Sequence, residues 1–500
     1  MRVTPSPALA RAVGDLDQGR HYPWLAFIML AAAASGIGLT IGAFESSLFV
    51  VALVGVGSLG LVTVMLYPSL AVPIVIATLF TNIAGNAVNL YGAPSIVSLA
   101  VPAILVAPVW HAWFTSGRKL HWTPALWLIL LFILVHLIGV LYAEDTDTAL
   151  QASISLIAEG FAVSFLLVNA IRSRQALRLA LLTLVASAAL IGAVSLFQQV
   201  TETYYTRYLG LAQLSDDSFA TGEETLTGDV LQPRLGGMIG EKNYFAQFML
   251  MVVPIGGALA ATQPSWRRKM ALVIGSMLIG VGVVLTFSRG AAVAAAAVVA
   301  VAIVLRLVPL RVVLVGALCA AVLIGAFPQY VTRVGTIADA ADLSGESELP
   351  DSALRGRAAE NAAAVTAFAE NPLLGLGPGQ FPANYTRYAR RAAVDDLHAT
   401  DRRAHNLVLA MLAEVGIIGT ALFAGILVAT AIPLMRIRRH ARDPADAIIA
   451  TGLLLGILAF LFAGAFLDLA YARYFWLLLG LAGAAGSVLA PTEIVAPRAT

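Results

Sequence analysis

Charge is scarce in this chain. Of its 500 residues only 12% are Asp, Glu, Lys or Arg, 59% are apolar, and the mean hydropathy is +0.85. A water-soluble globular fold carries roughly 25% charged residues, so that class is excluded. Cysteine is scarcer still: Cys319 stands alone, which rules out an internal disulfide. Zinc spacings, Walker loops and dinucleotide fingerprints are also missing, so no metal and no cofactor is expected. Without a nucleotide site, any group transfer must begin from a donor that is already activated. The formal net charge of +2 is uninformative by itself, and no nucleic-acid partner is expected. No solenoid repeat is evident, and the Ala-rich run 291–302 is the clearest low-complexity stretch.

What is present is a series of apolar blocks of roughly 17–25 residues, the length that crosses a hydrocarbon core of about 30 Å. Candidate spans fall at 23–44, 47–66, 68–83, 95–113, 124–142, 150–170, 177–200, 242–262, 268–286, 291–305, 312–327, 405–433, 447–466 and 474–489. The third and tenth are short. The expected fold is an all-α polytopic integral membrane protein in the lipid bilayer, with about 12–14 transmembrane helices and one large outer loop containing short helices. The chain divides into a tail (1–22), N-terminal spans (23–200), a first outer loop (201–241), central spans (242–327), a large outer loop (328–404), C-terminal spans (405–489) and a second tail (490–500).

The distribution of basic residues orients these spans. Arg118 and Lys119; Arg172, Arg174 and Arg178; Arg267, Arg268 and Lys269; Arg306 and Arg311; and Arg436, Arg438, Arg439 and Arg442 fall on alternate connections. With Arg2, Arg11, Arg20 and Arg498 they make 18 of the 31 basic residues. The positive-inside bias puts that side, and both termini, in the cytoplasm. The first 22 residues lack the cleavage pattern of a signal peptide. Long connections escape the charge rule, so the cations of 201–241 and 328–404 do not contradict it.

Four polar clusters meet on the outer side. "QPRLGGMIGEKNYFAQ" (232–247) offers Arg234, Glu241, Lys242 and Asn243. "TFSRGAA" (286–292) places Arg289 between two apolar runs. In "RGRAAENAAAVTAFAENPLLGLGPGQF" (355–381), Arg355 and Arg357 precede an Ala-rich helix that Pro372 should end, and Gly375, Gly377 and Gly379 then turn the chain. "RRAHNLVLAMLAEVGIIG" (402–419) runs from two arginines through His405 and Asn406 into a span that also holds Glu414. Arginine binds phosphate oxygens bidentately and stays charged at all relevant pH. Several arginines around one pocket would hold a lipid-linked pyrophosphate and stabilise it as it leaves. A histidine beside them would take a proton from an acceptor hydroxyl, and neighbouring arginines would keep its ring neutral.

Blander readings compete. An arginine at a span end is most often a snorkelling anchor, although the position of Arg289 between two apolar runs favours a functional role. A lone histidine at a helix start is more often a cap or a solvated residue. "GLGPGQF" reads as a turn rather than an anion nest. Arg387, Arg390, Arg391, Arg402 and Arg403 read as a solvated or headgroup-facing surface. His136 and Glu159, near mid-span in consecutive helices, fit an interhelical hydrogen bond better than a proton relay. Asp468 and Arg473 would either pair with each other or orient the His405 site.

The order of these motifs resembles a known family. His405-Asn406, nine residues, Gly416, two residues and Gly419 resemble the histidine signature of the bacterial O-antigen ligase family, whose domain is shared by O-antigen polymerases and some protein O-oligosaccharyltransferases. "RLGGMIGEKNYFA", "SRG" and "NPLLGLGPGQF" resemble its other segments, in the family's order, over about 230–490. One departure stands out: Asn361 occupies a position where the family often has Trp. The resemblance implies a multi-pass protein of the bacterial inner membrane working on the periplasmic face. A glycan would move from undecaprenyl pyrophosphate to an acceptor hydroxyl, typically with inversion and without metal. The acceptor would be lipid A core for a ligase, a lipid-linked repeat for a polymerase, or a protein hydroxyl for an oligosaccharyltransferase. The resemblance gives His405 the base role and puts Arg289 and Arg357 on the pyrophosphate. Charge and location add Arg234 and Lys242, with Asn243, Asn406, Glu414, Asp468 and Arg473 in support. A small-solute transporter is the remaining alternative, but neither an inverted repeat nor a matched pair of broken helices supports it.

Overall fold

The computed structural model describes residues 68–93, 101–225, 228–326, 352–392, 402–470 and 472–490. The expected spans 23–44 and 47–66 lie outside the described residues, as does the N-terminal tail. The helices are α1 (Ala71–Phe80), α2 (Ile83–Tyr91), α3 (Val101–Phe114), α4 (Pro124–Val140), α5 (Thr146–Ala170) and α6 (Arg174–Val200). After a two-stranded hairpin come α7 (Lys242–Ala261), α8 (Trp266–Val284), α9 (Arg289–Val304), α10 (Leu310–Ala326), α11 (Ser352–Glu370), α12 (Phe381–Arg391), α13 (Leu407–His440), α14 (Pro444–Gly464) and α15 (Arg473–Val488). The protein is an all-α polytopic membrane protein, with α5, α6, α7, α13 and α14 each long and apolar enough to cross a bilayer.

The hairpin departs from the loop expected at 201–241. Strands β1 (Gln213–Thr225) and β2 (Gly228–Gly237) pair antiparallel, Leu214 opposite Leu235 and Thr225 opposite Gly228. Thr and Val around a Gly turn favour such a ribbon. The helix of the large loop also begins earlier than expected, so Arg355 and Arg357 lie inside α11.

Small residues and aromatics set the packing of the bundle. Gly452 and Gly456 of α14 let its backbone approach α7: a Cβ on Gly452 would lie 2.5 Å from that of Ala258, and one on Gly456 would lie 2.7 Å from the Met251 carbonyl oxygen. Such small-residue stripes replace the hydrophobic drive that lipid removes. An aromatic train then crosses the core, with ring centroids 4.1 Å apart for Phe248–Tyr474, 4.8 Å for Phe460–Phe475, 5.5 Å for Phe423–Phe475 and 6.2 Å for Phe132–Phe423. It ties α7, α15, α14, α13 and α4 into one unit. By contrast α10 exposes Leu310, Leu314 and Leu318, as a lipid-facing helix does.

Some of the basic connections meet one another. Arg174 pairs with the buried Asp446 at 2.8 Å, and Arg438 donates to the Arg306 carbonyl at 2.9 Å. The first residues of α7, α9, α13 and α15 lie at the opposite end of the bundle. That end carries the candidate site.

Candidate active site

The start of α13 sets the position of His405. Asn406 is the helix N-cap, its Oδ1 accepting from the Val408 and Leu409 amides at 3.0 and 3.1 Å. A cap of this kind contributes about 1 kcal/mol and fixes the residue before it. Ten residues on, α13 breaks at Gly416, with φ 63° and ψ −167°. The glycine turn after α11 fills the gap. Leu376 and Gly377 donate to the Ala413 and Glu414 carbonyls, both at 2.9 Å, and Ile417 and Ile418 donate to the Pro372 and Leu373 carbonyls at 2.9 and 3.2 Å. Glu414 adds its side chain, Oε2 accepting from the Gly379 amide at 2.9 Å. The amides of "GLGPG" are therefore spent on protein, which fits a turn and not an anion nest.

That turn holds α11 against the histidine. Ala363, Ala364 and Ala367 of α11 bury themselves with Phe381, Tyr385 and Tyr388 of α12 and with Ala404 and Ala413. Alanine suits this place because it lets two helices and the start of a third approach closely. From the same helix Glu360, 2% exposed, receives His405: Nδ1 lies 2.6 Å from Oε2. Its other oxygen, Oε1, is 3.6 Å from an Arg402 nitrogen. Tyr385 faces the same carboxylate. Burial and the Glu360 charge hold its phenol above the usual range, with Arg402 acting against them.

One turn earlier, α11 carries Arg357 into a narrow cleft lined also by Asn243, Ser288, Gly290, Ala463 and Phe466. Three of the four sequence clusters meet there. Glu241 caps α7, its Oε2 accepting from the Asn243 and Tyr244 amides at 2.9 and 2.8 Å, while its Oε1 accepts from Asn243 Nδ2 at 3.1 Å. Ser288 caps α9 and donates to Asn243 Oδ1 at 2.9 Å. The two helix starts are thereby locked together, and Arg289 follows as the first residue of α9. Asn406 joins the rim through Nδ2, which donates to the Ala465 carbonyl at 3.4 Å.

The other expected ligands have different surroundings. Arg234 is 5% exposed, donating from Nε to the Thr286 carbonyl at 2.9 Å and from Nη2 to the Phe287 carbonyl at 3.1 Å. Expected as a phosphate ligand, it braces the turn before Ser288 and Arg289. Lys242 lies 3.4 Å from Ser215 Oγ and 3.8 Å from Glu241. Asp468 does not pair with Arg473. It accepts from the Tyr244 hydroxyl and lies 3.5 Å from an Arg403 nitrogen. Arg473 sits instead over the Tyr474 ring, 5.5 Å from its centroid. Asn361, at the position that departs from the family, has a buried Oδ1 without a hydrogen-bond partner.

The basic surface is paired as well as exposed. Arg387 meets Glu144 at 2.6 Å, Arg391 meets Glu370, and Arg402 and Arg403 take Glu360 and Asp468. His405 therefore has a carboxylate as its bonded neighbour, where a ring of arginines was expected. The interhelical bond expected between His136 and Glu159 is also missing: His136 Nδ1 bonds the Phe132 carbonyl of its own helix at 3.0 Å. Glu360 is the main residue the sequence reading passed over. Its signal was its place three residues after Arg357, on one helical face.

A search among curated proteins finds no match for the chain. Residues 274–424 match the family model described as O-antigen ligase. This stretch includes Arg289, Arg357, Glu360, His405 and Glu414, and it leaves out Arg234, Lys242, Asp468 and Arg473. Over this stretch, and not over the chain as a whole, the sequence is similar to the O-antigen ligase family.

Proposed function

We propose that the protein is a glycosyltransferase of ligase type on the periplasmic face of a bacterial inner membrane, moving a glycan from undecaprenyl pyrophosphate to an acceptor hydroxyl. One observation carries this reading. Within a single turn, α11 sends Arg357 into the cleft between the starts of α7 and α9 and presents Glu360 to His405. A cation suited to phosphate and the carboxylate that meets the imidazole are thus set on one rigid element, next to the Ser288–Arg289 helix start. The crowding of the basic connections at the other end of the bundle supports the periplasmic placement.

In the reaction the acceptor oxygen attacks the anomeric carbon on the face opposite the leaving group. The bond from that carbon to the pyrophosphate oxygen breaks, and the electron pair leaves with the pyrophosphate. Arg357 and Arg289 meet the charge that develops there, where fixed cations in a water-poor site act most strongly. The acceptor proton passes to His405 Nε2 and later to water. Arg234 braces the turn before Ser288, Asn243 and Ser288 hold the two helix starts together, and Glu414 locks the glycine turn beneath the histidine. A proton relay through His136 and Glu159, as a transporter would use, has no hydrogen bond to run along among the described residues.

The test uses purified protein in detergent or nanodiscs, a lipid-pyrophosphate glycan, and lipid A core or a second lipid-linked glycan as acceptor. His405→Ala should lower transfer by about 10²-fold or more, the scale of a lost general base, with thermal stability retained. Transfer at the original rate would end the reading of His405 as base. Growth of a polymer on the lipid-linked acceptor, with lipid A core ignored, would make the protein a repeat-unit polymerase.

A further inference from the structure

Glu360 is an anion where packing alone calls for none. Its helix neighbours on the buried face are alanines, and the carboxylate is 2% exposed. A carboxylate so placed is costly unless donors meet it, and here the donors come from one short segment, Arg402 and His405. At 2.6 Å the contact with His405 is short and charge-assisted. An ionised carboxylate can only accept; paired with one, a neutral ring would carry its proton on Nδ1 and leave the lone pair on Nε2. The next cation, Arg403, is drawn away to Asp468.

Resting on the transferase reading above, we propose that Glu360 is the positioning residue of the reaction. Its carboxylate fixes His405 in the tautomer whose Nε2 accepts the acceptor's proton, and it stabilises the imidazolium so formed. As the acceptor O–H bond breaks and its oxygen joins the anomeric carbon, the proton comes to rest on Nε2. The ring then carries one positive charge opposite the Glu360 negative charge, and the pyrophosphate departs with the electron pair of the broken C–O bond. Deprotonation by water restores the starting state. The same logic orients imidazoles in hydrolytic triads on unrelated folds.

The experiment compares Glu360→Gln and Glu360→Ala, each alone and on a His405→Ala background, with Arg402→Met as a control for the shared ion pair. Glu360→Gln keeps the shape and should lower kcat by about 10²-fold or more, with the KM for the lipid donor little changed. On the His405→Ala background the same substitution should cost nothing further, because residues acting as a unit are not additive. Formate or acetate should restore part of the Glu360→Ala rate and none of the His405→Ala rate, a response that a folding defect cannot give. Arg402→Met should lower kcat less than Glu360→Gln does, because His405 still meets the carboxylate. If Glu360→Gln transfers at the original rate while His405→Ala is dead, Glu360 is only a packing element and the proposal fails with the transferase reading intact. An equal loss from Glu360→Gln with and without His405 also overturns it. Full transfer by His405→Ala removes the base itself, and with it both readings.

Discussion

The chain is interrupted inside two helical runs, and the two gaps are filled by different means. Between α1 and α2 the axis bends by 46° at Thr81–Asn82, with Asn82 at φ 55°. There side chains do the work: Asn82 Nδ2, Asn86 Nδ2 and Gln213 Nε2 all donate to the Met238 carbonyl at 3.1 Å. In α13 the gap at Gly416 is filled by backbone, through four amide–carbonyl bonds to residues 372–377. Both solutions satisfy groups that a membrane cannot hydrate. They differ in what breaks them. Three amides share one acceptor in the first, so the loss of one leaves two. In the second the approach of two main chains depends on the absence of a Cβ, so one methyl group disturbs every bond together.

The largest effect should therefore follow Gly416→Ala. The added Cβ would stand 2.3 Å from the Leu373 carbonyl oxygen, at a φ and ψ reserved to glycine. Backbone strain and overpacking together cost about 3 kcal/mol or more. Thermal unfolding in detergent should show a much lower Tm, and transfer should be lost because α11 is no longer held under His405. An unchanged Tm would show that the glycine turn does not support the gap. Glu414→Leu comes next. It strips the Gly379 amide of its acceptor, a buried loss of about 1–3 kcal/mol, whereas Glu414→Gln keeps an accepting oxygen and should stay closer to the parent in the same melt. Asn86→Ala should cost less, about 1–3 kcal/mol: it strips the Gly210 carbonyl of a donor, while Asn82 and Gln213 still reach Met238. A loss equal to that of Gly416→Ala would erase the distinction between the two gaps.

The two gaps also mark how far the sequence could be read. Five of the expected spans, at α5, α6, α7, α13 and α14, were legible because hydropathy over about 20 residues is a strong signal. The described helices fall close to the expected ranges, from α4 at Pro124–Val140 to α15 at Arg473–Val488. His405, Asn406, Gly416 and Gly419 were legible as a spaced motif. The reason for Gly416 was not, because its contact is with Leu373, far away in the chain. The hairpin after α6 was missed, since a two-stranded ribbon has too few residues to outweigh loop-like composition. Arg234 was read as a phosphate ligand because charge is visible in a sequence and burial is not. Its guanidinium donates to the Thr286 and Phe287 carbonyls. Glu360 escaped for the opposite reason: two acids ten residues apart in an alanine-rich helix show no period, and its partner lies 45 residues on.

The smallest effect tests the rim of the second gap. Outside the Gly416 bonds, the glycine turn and α12 are tied to the connection after α4: Tyr142 donates to the Leu374 carbonyl at 2.8 Å, Gln380 Nε2 donates to the Asp145 carbonyl at 2.9 Å, and Arg387 meets Glu144 at 2.6 Å. The Arg387 and Glu144 side chains are 40% and 62% exposed. Water and salt screen such a pair, and its worth is about 0–1 kcal/mol. Arg387→Ala should thus move the Tm slightly, by an amount that shrinks further in high salt, with transfer unchanged. A double-mutant cycle with Glu144→Ala should return a coupling of about 0.2–1 kcal/mol. A coupling of several kcal/mol, or loss of transfer in Arg387→Ala alone, would mean that the rim holds α11 beneath the histidine. The gap at Gly416 would then be a passive break, and the contrast between a side-chain lock and a backbone lock would give way to one between two side-chain locks.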